Sequence, residues 1–359
     1  MFSLPLRRAL RAVFATLAVA MLAAPAAAMA APSKPAKVMT RNLYLGADLT
    51  PAITATSQGA FLTATTNIWS EVQATDFPAR AKVLAAEIAQ EDPHLVGLQE
   101  AAIWRTGPAF NPAPATTEVY NFVDSLLAEL AALGKPYEIV EVQDEADLEA
   151  PTLAGVDIRL TQRDAILKRA GSSEISVSGT NKAHYAQQLV ISNPAIGLTQ
   201  QSTRGWVSAN VTVNKRSFRF VNTHLEAFST GHRALQAVEL VQGAATAGQP
   251  NVVLVGDINS SPSDAVPPSP PFPPLPTARN VLLGLGGFTD TSGPAGDTCC
   301  HADNLLNPTA NFTSRIDVVF SRPAAEVGKV TVTGDDASNR TPAGLWPSDH
   351  GGVSAKLYP

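Results

Sequence analysis

The stretch Asn251-Val-Val-Leu-Val-Gly-Asp257-Ile-Asn259-Ser-Ser-Pro262 predicts a short buried strand that ends in polar side chains. Four apolar residues precede Gly256, and an acid, an amide and a proline follow it. In α/β folds, ligands bind at the carboxyl ends of strands. Asp, Asn and Gly are also common in turns, so Asp257 and Asn259 alone fit a plain turn equally well. The choice depends on whether other segments end in the same way.

Two earlier segments do. Residues 38–42 predict a strand that ends at Asn42, and residues 95–100 predict a strand that ends at Glu100. A loop with weak periodicity follows the first strand. A helix should then precede the second strand, because Phe77, Ala81, Leu84 and Ile88 fall on one helical face. Helix followed by buried strand is typical of a layered α/β domain.

The middle of the chain predicts a further helix and then consecutive short strands. Thr116 or Thr117 can cap a helix that runs to Leu133, where Gly134 and Pro136 end it. Strands are expected at residues 137–142, 165–167, 188–191, 205–213 and 217–222, and such a succession favours antiparallel pairing. The last strand leads to His224, and a helix capped by Ser229 or Thr230 follows.

Two segments are predicted to be irregular. Residues 144–163 carry five acidic residues with little apolar pattern, so we expect an exposed excursion. Residues 266–276 contain seven prolines in eleven positions, which predicts an extended surface loop. Because segments ending in Asp317 and in Asp349-His350 follow this loop, we interpret it as an insertion in one catalytic domain over residues 38–359.

The N-terminus predicts an exported protein. Arg7, Arg8 and Arg11 precede an apolar run over residues 12–24, and small residues follow at Ala28-Met-Ala30. This is the pattern of a secretory signal peptide over residues 1–30, with a linker over residues 31–37. The apolar run is too short for a comfortable membrane span, and no other run reaches 18 residues, so we expect no transmembrane segment. The predicted location is secreted or periplasmic.

Composition narrows the function classes. The 359 residues are 45% hydrophobic and 16% charged, which suffices for a sizeable core. The net charge is −5, and loss of the three leader arginines lowers it to −8. A net acidic chain gains little long-range attraction for nucleic acid or anionic lipid. A phosphate substrate is not excluded, because a divalent cation can supply positive charge locally.

The two cysteines, Cys299 and Cys300, are adjacent. Their Cα separation of about 3.8 Å is shorter than in most disulfides, so a bond between them would be strained. A vicinal disulfide, a reduced pair and an intermolecular bond remain open. A zinc site made by these cysteines and His301 lacks the usual ligand spacing.

The polar strand ends together form one set of acids, amides and imidazoles. Carboxylate and amide oxygens suit a hard cation, which indicates Mg²⁺, with Mn²⁺ or Ca²⁺ also compatible. The sequence contains no Gly-x-Ser-x-Gly nucleophile motif. The candidate site residues are Asn42, Glu100, His224, Asp257, Asn259, Asp317, Asp349 and His350.

These segments resemble, in the same order along the chain, those of the endonuclease/exonuclease/phosphatase superfamily, the DNase I-like phosphoesterases. The matching motifs are Thr40-Arg-Asn42, Leu98-Gln-Glu100, Asn222-Thr-His224, Gly256-Asp-Ile-Asn259, Arg315-Ile-Asp317 and Ser348-Asp-His350. The resemblance implies an α/β (α+β) four-layer sandwich, in which two mixed β-sheets pack face to face between outer helices. It also implies an enzyme that hydrolyses phosphate esters.

The resemblance implies a role for each residue. Glu100 resembles the principal metal ligand, Asn42 its neighbour on the metal side, and Asp349 a further acid near the metal. His350 resembles the general base, and Asp317 the carboxylate that holds its ring. His224 resembles the histidine that contacts the phosphate or protonates the leaving oxygen. Asp257 and Asn259 resemble the residues that orient the attacking water and the phosphate.

Several activities remain open on this core. We expect a monomeric enzyme acting on a phosphodiester by in-line attack of water, and the substrate could be nucleic acid, phospholipid or a small molecule. The acidic charge disfavours long duplex DNA. A sphingomyelinase-like activity, a phosphomonoesterase activity and a catalytically silent binding module are the alternatives.

Overall fold

The computed structural model describes residues 34–265 and 275–359. The predicted signal peptide, residues 31–33 of the predicted linker and residues 266–274 of the Pro-rich loop lie outside the described residues. Of the remaining linker, Ala36 and Lys37 already belong to the first strand. The predicted linker is therefore too long at its C-terminal end, because these two residues pair with the last strand of the chain.

The described residues contain sixteen strands and six α-helices. The strands are β1 (Ala36–Asn42), β2 (Leu95–Gln99), β3 (Ile103–Pro108), β4 (Thr117–Asn121), β5 (Tyr137–Pro151), β6 (Val156–Arg169), β7 (Ile175–His184), β8 (Leu189–Asn193), β9 (Leu198–Ser202), β10 (Gly205–Val213), β11 (Arg216–His224), β12 (Val252–Asp257), β13 (Thr289–Asp290), β14 (Asp317–Arg322), β15 (Glu326–Thr333) and β16 (Gly352–Tyr358). The helices are α1 (Thr50–Ile53), α2 (Gln58–Ala74), α3 (Phe77–Glu91), α4 (Phe122–Ala132), α5 (Thr230–Gln242) and α6 (Ala278–Gly284).

These strands form two mixed sheets and one small hairpin. The first sheet has the order β15-β16-β1-β2-β6-β3-β4, with β5 on the other edge of β6. The second has the order β13-β14-β12-β11-β10-β7, and β8 pairs with β9 alone. Each large sheet contains a parallel pair, β1 with β2 and β11 with β12, among antiparallel neighbours. The mixed sheets of the predicted fold are confirmed.

Burial along β12 shows how the layers stack. Val253 and Val255 point into the core shared by the two sheets, while Val252 and Leu254 point to the opposite face, which α5 and α6 cover. A strand buried on both faces reads as a continuous apolar run rather than as an alternating one. The outer face of the first sheet packs in the same way against α2, α3 and α4. The four-layer sandwich is therefore confirmed.

The predicted face of α3 is also confirmed. Phe77, Ala81, Leu84 and Ile88 are buried, and Asp76 caps the helix by accepting a hydrogen bond from the backbone of Ala79. Ser229 caps α5 in the same manner. In the part of the chain that the structure describes, no helix has the length and apolar character needed to cross a membrane.

The two sheets approach most closely at Gly97 of β2. A Cβ at this position would lie 2.5 Å from Val255 Cγ2 and 2.6 Å from Asn222 Oδ1 of the facing sheet. Asn222 uses its amide to bridge the sheets, donating to the carbonyls of Leu98 at 2.8 Å and Ala165 at 3.1 Å. This contact holds the ends of β2 and β11 together, which matters for the site at their tips.

The predicted exposed excursion over residues 144–163 is wrong. Most of these residues belong to β5 and β6, which form a long antiparallel ladder. Their charges pair across the ladder, since Arg159 binds Asp147 with an Nη2–Oδ2 distance of 2.6 Å. Asp157 is buried and accepts backbone hydrogen bonds from Phe110 and Asn111. The charged residues of this segment predict a solvated loop when they are considered alone. In the fold, cross-strand side chains and backbone N–H groups pair with them.

Two helix predictions also need correction. The loop predicted after β1 contains α2, whose buried face includes Ile68, Trp69 and Val72. Alanine and threonine fill much of the rest of this helix, which weakens its apolar periodicity. The helix predicted from residue 116 or 117 begins only at Phe122, because residues 117–121 form β4 and pair with β3. Asn121 is the actual N-cap of α4.

Candidate active site

The topology brings the predicted residues to one rim of the sandwich. Asn42, His224 and Asp257 are the last residues of β1, β11 and β12, and Glu100 directly follows β2. β14 and β16 run antiparallel to their neighbours, so residues at their beginnings reach the same rim. Asp317 is the first residue of β14 and pairs in register with Asp257. The carboxyl ends of the parallel strands and the first residues of the antiparallel strands therefore lie at the same rim.

The centre of the site is a histidine between two buried aspartates. His350 Nδ1 lies 2.9 Å from Asp317 Oδ2, and His350 Nε2 lies 3.8 Å from Asp257 Oδ2. All three residues are buried. An Nδ1–H that donates to Asp317 fixes the ring and leaves Nε2 on the side of Asp257. This arrangement can take up a proton at Nε2.

The charges at this centre perturb one another. Burial alone would lower the pKa of His350, but the carboxylates of Asp317, Asp349 and Asp257 outweigh it and raise that pKa well above its ordinary value. Burial raises the pKa of Asp257 to about 7, with His350 lowering it and Asp317 raising it. Burial likewise raises the pKa of Asp349 to about 6. Such perturbed groups in one place are typical of functional sites.

His224 approaches the same aspartate from β11, with His224 Nε2 3.5 Å from Asp257 Oδ2. Burial, reinforced by the nearby charges of Arg204 and His350, lowers the pKa of His224 well below its ordinary value. Asn259 lies beside it in a left-handed backbone conformation with φ 48°. Its backbone donates to Asp257 Oδ1 at 2.8 Å, and its side chain donates to the Leu225 carbonyl at 3.0 Å.

Asn42 connects the two sides of the site. Its Nδ2 lies 3.3 Å from both Glu100 Oε1 and Asp257 Oδ2, while its Oδ1 accepts the backbone N–H of Tyr44 at 2.9 Å. The amide nitrogen, not the oxygen, therefore faces the carboxylates. Asn42 acts here as a hydrogen-bond donor between the two acids, and the direct metal contact expected of its oxygen stays a prediction.

Buried groups behind the site hold these side chains in place. The Ser348 hydroxyl donates to the Asn42 carbonyl at 2.9 Å, which joins the segment before β16 to the end of β1. The Arg41 guanidinium donates to the His350 carbonyl and pairs with Glu87 at 3.0 Å, and both side chains are buried. The His350 backbone is thus fixed from below by a buried ion pair.

The donor set fits a hard divalent cation. Asp257, Asp317 and His350 offer ligand atoms that all lie within 4.8 Å of one another. Asp317 Oδ1 is buried without a hydrogen-bond partner among the described residues. Glu100 and Asp349 add two further carboxylates. They lie close enough together that the charge of Glu100 adds to burial in raising the pKa of Asp349. Several buried carboxylates with few cationic partners are the environment in which Mg²⁺ or a similar ion is stabilising.

Two buried charged residues near the site were missed. Asp164 of β6 accepts the backbone N–H of Glu100, and burial raises its pKa to about 8. Arg204, directly before β10, is buried and lowers the pKa of His224. Asp164 falls between the predicted excursion and the strand predicted at residues 165–167 and belongs to no motif, and Arg204 is a single basic residue before Gly205. Neither gave a sequence signal.

The cysteine pair adjoins the site. Cys299 and Cys300 form a disulfide with one another, and Cys299 Sγ lies 4.0 Å from His350 Nε2. Of the three states of the cysteine pair that the sequence leaves open, the structure contains the vicinal disulfide. His301 turns away from the cysteines, since its Nε2 binds the Gly334 carbonyl and its ring stacks on Trp346. The geometry gives no support to a zinc site made by the cysteines and His301.

The overall fold is shared with solved structures of low sequence identity. They include a mannosyl-6-phosphatase from Bacteroides thetaiotaomicron (17% identity, TM-score 0.52, covering 90% of this chain and 99% of that chain). A second is an endonuclease/exonuclease/phosphatase family protein from the same species (16%, 0.53, 90% and 98%). A third is D. rerio TDP2 complexed with single strand DNA product (16%, 0.51, 90% and 99%). At these identities the likeness shows the fold alone.

The sequence itself identifies the family. No curated protein matches the chain. The Endonuclease/Exonuclease/phosphatase family model, however, matches residues 64–350, well over half of the chain. That range ends at His350 and includes every predicted site residue except Asn42. From this match, the chain belongs to the endonuclease/exonuclease/phosphatase family and is a hydrolase of phosphate ester bonds.

Proposed function

We propose that the chain is an exported phosphodiesterase that depends on a divalent cation, with Mg²⁺ the preferred ion. The observation that carries this proposal is the His350–Asp317 pair, in which the second ring nitrogen, Nε2, lies 3.8 Å from Asp257 at the rim where Glu100 and Asp349 converge. A silent binding module has no need for an oriented imidazole among buried acids, because such an arrangement is costly to bury.

Glu100 and Asp349 would hold the cation. Both are placed by the ends of strands, and Glu100 is oriented by hydrogen bonds from Asn42 Nδ2 at 3.3 Å and from the backbone of Leu45 at 2.7 Å. When bound, a divalent cation neutralises charge on the phosphate and on the developing transition state. Asn42 keeps Glu100 and Asp257 apart while donating to both.

His350 accepts the proton of the attacking water at Nε2. Asp317 orients the ring through Nδ1 and stabilises the imidazolium that forms. The high pKa of His350 reflects the surrounding carboxylates, which outweigh its burial, and neutralising Asp349 would lower that pKa. Asp257 lies 3.8 Å from Nε2, and Asn259 donates its backbone N–H to Asp257. These two residues would orient the water and the phosphate.

His224 contacts the phosphate as a neutral ring. Burial and the nearby Arg204 oppose its protonation, so the imidazole is a hydrogen-bond partner rather than a proton donor at neutral pH. This favours phosphate contact over protonation of the leaving oxygen, the two roles left open for this residue.

The direct test is hydrolysis of bis-p-nitrophenyl phosphate by the purified protein without residues 1–30. We expect turnover with Mg²⁺, loss of turnover with EDTA, recovery when Mg²⁺ is restored, and a loss of roughly 10²- to 10⁴-fold in His350→Ala. His184→Ala, at an exposed histidine of β7, is the matched control and should retain activity. Full activity in His350→Ala would remove the base assignment.

Export is tested separately. Expression of the full chain in a secreting host should give a product that starts close to residue 31, as read by N-terminal sequencing, in the medium or the periplasm. A product that retains Arg7 and Arg8 inside the cell would contradict this part of the proposal. The same preparation should elute as a monomer in size-exclusion chromatography with light scattering.

A further inference from the structure

An apolar cavity of about 140 Å³ lies beside the site and takes no part in the chemistry described above. Its floor is formed by strands of the first sheet, with Ile158 and Leu160 of β6 and Trp104 of β3. Helices α1 and α2 form one wall, which includes Ala52. Two thirds of the lining residues are apolar, so the cavity suits an apolar group.

The β8–β9 hairpin forms another wall of the cavity, and Leu198 lines it. This hairpin is attached to the helical wall and not to either large sheet. Asn193 donates from Nδ2 to the carbonyls of Ile53 and Ala55, both at 2.8 Å, and Gln58 donates to the Ile196 carbonyl at 2.7 Å. Two of the elements that line the cavity, the hairpin and the helical wall, are therefore hydrogen-bonded to one another, which makes the cavity a built feature of the fold.

One end of the cavity reaches the cation side of the site. Trp104 Nε1 donates to the Leu45 carbonyl at 2.8 Å, and the Leu45 backbone donates to Glu100 Oε2 at 2.7 Å. Two hydrogen bonds thus join the cavity floor to the carboxylate that would hold the cation. The backbone of Leu45 is thus the link between Trp104 in the cavity and Glu100 at the site.

Arg204 provides the polar end of the cavity. Its side chain lines the cavity, is buried, and is close enough to His224 to lower the pKa of that ring. Arg204 Nε has no hydrogen-bond partner among the described residues. The charges that face it are the buried acids Asp164 and Glu145, for which no ion pair with Arg204 within 4.0 Å is present in the described part of the chain. An anion between Arg204 and His224 would satisfy the guanidinium.

The size of the cavity limits what it holds. An apolar cavity of about 150 Å³ accepts benzene, and this cavity is of similar volume. A hydroxylated sugar of that size would leave its hydroxyls unpaired against apolar walls, which disfavours its binding there. We propose that the cavity receives one benzene-sized apolar group of the phosphate ester, with Arg204 contacting the phosphate. This inference rests on the proposed function and names its substrate class.

The test compares two phosphonates that are not hydrolysed and differ only in the apolar group. Benzylphosphonate and methylphosphonate are titrated into the protein with Mg²⁺ by calorimetry. We expect benzylphosphonate to bind roughly 10-fold or more tightly than methylphosphonate, the range for an apolar group in a matching pocket. Equal binding of the two would overturn the proposal.

Two variants fill the cavity from independent elements. Ala52→Phe acts from α1 and Leu198→Trp from the β8–β9 hairpin, and each should lower the preference for benzylphosphonate to about 1. Ala132→Phe, the same substitution at the exposed end of α4, is the control and should keep the wild-type preference. Circular dichroism establishes that each variant is folded. An unchanged preference in both folded cavity variants would contradict the assignment.

The two proposals fail in different ways. Preferential binding of benzylphosphonate without hydrolysis of bis-p-nitrophenyl phosphate would reject the phosphodiesterase and retain the cavity. Hydrolysis that requires Mg²⁺ and His350, with no benzyl preference, would reject the cavity and retain the phosphodiesterase. Repeating the titration in His350→Ala, where the cavity is intact, keeps the two outcomes separate.

Discussion

The catalytic rim and the apolar cavity lie side by side but are built differently. The rim collects the ends and starts of strands from both sheets. The cavity lies between α1, α2, the β5–β6 ladder and the β8–β9 hairpin, elements that share no motif. Under the two proposals, the sheet framework carries the reaction chemistry, and the segments added around it select the ester.

The largest effect on activity is expected from a substitution in the rim, at Asp317. Asp317→Asn removes the carboxylate that orients His350, and we expect kcat to fall by roughly 10²- to 10⁴-fold. Because the Asp317 carboxylate raises the pKa of His350, its loss lowers that pKa, so the acid limb of the pH–rate profile should move to lower pH. Steady-state kinetics across pH measures both effects.

Asp144→Asn is the matched control for this substitution. Asp144 is an exposed residue of β5. It should keep the wild-type rate and profile. A similar loss in both variants would mean that the rim has no special role, and an unshifted profile in Asp317→Asn would reject the positioning of His350 by Asp317.

Arg204 lies where the two regions meet, and its loss should have the next largest effect. Arg204→Met should weaken benzylphosphonate and methylphosphonate equally, by roughly 10- to 100-fold, because a charged hydrogen bond to the phosphate contributes about 1.5–3 kcal/mol. Arg204→Lys should restore part of the binding. Loss of benzylphosphonate binding alone would instead assign Arg204 to the cavity.

The closest contact between the sheets gives a structural comparison. Gly97→Ala would place a methyl group 2.5 Å from Val255 Cγ2, and we expect about 1–3 kcal/mol of lost stability in urea denaturation. Gly179→Ala, in β7, has its nearest heavy atom at 3.8 Å and should cause no loss. Equal stability of the two variants would show that the sheets can separate at the rim without cost.

The smallest effect is expected in the wall of the cavity. Asn193→Ala removes two hydrogen bonds that attach the β8–β9 hairpin to the segment after α1. We expect amide exchange in β8 and β9 to accelerate roughly 5-fold, which corresponds to about 1 kcal/mol. Asn280→Ala, at an exposed position of α6, is the control. Unchanged exchange in Asn193→Ala would mean that other contacts hold the hairpin.

The rim could be predicted from the sequence because its signals are local. The run before Asp257 is apolar at every position, since Val252 and Leu254 face helices while Val253 and Val255 face the other sheet. The same holds for the strand before Glu100, which is buried throughout. At Asp257 the polar residue is marked by the abrupt end of such a run.

The cavity could not be predicted, because its residues depend on pairing between distant segments. The acids of β5 and β6 read as a solvated loop until their partners across the ladder are known. Helix α2 lacks a strong apolar period, and it is buried by contacts with the first sheet. Arg204 becomes recognisable only when the fold places it beside His224 and Asp164.

The most direct test of the account is binding of Mn²⁺, a spectroscopic substitute for Mg²⁺, followed by electron paramagnetic resonance. The wild-type protein should bind Mn²⁺, and Glu100→Gln should weaken that binding by roughly 10-fold or more, since a carboxylate ligand is lost. Glu118→Gln, at an exposed residue of β4, should bind like the wild type. Equal Mn²⁺ binding by the wild type and Glu100→Gln would contradict a single cation site at the rim.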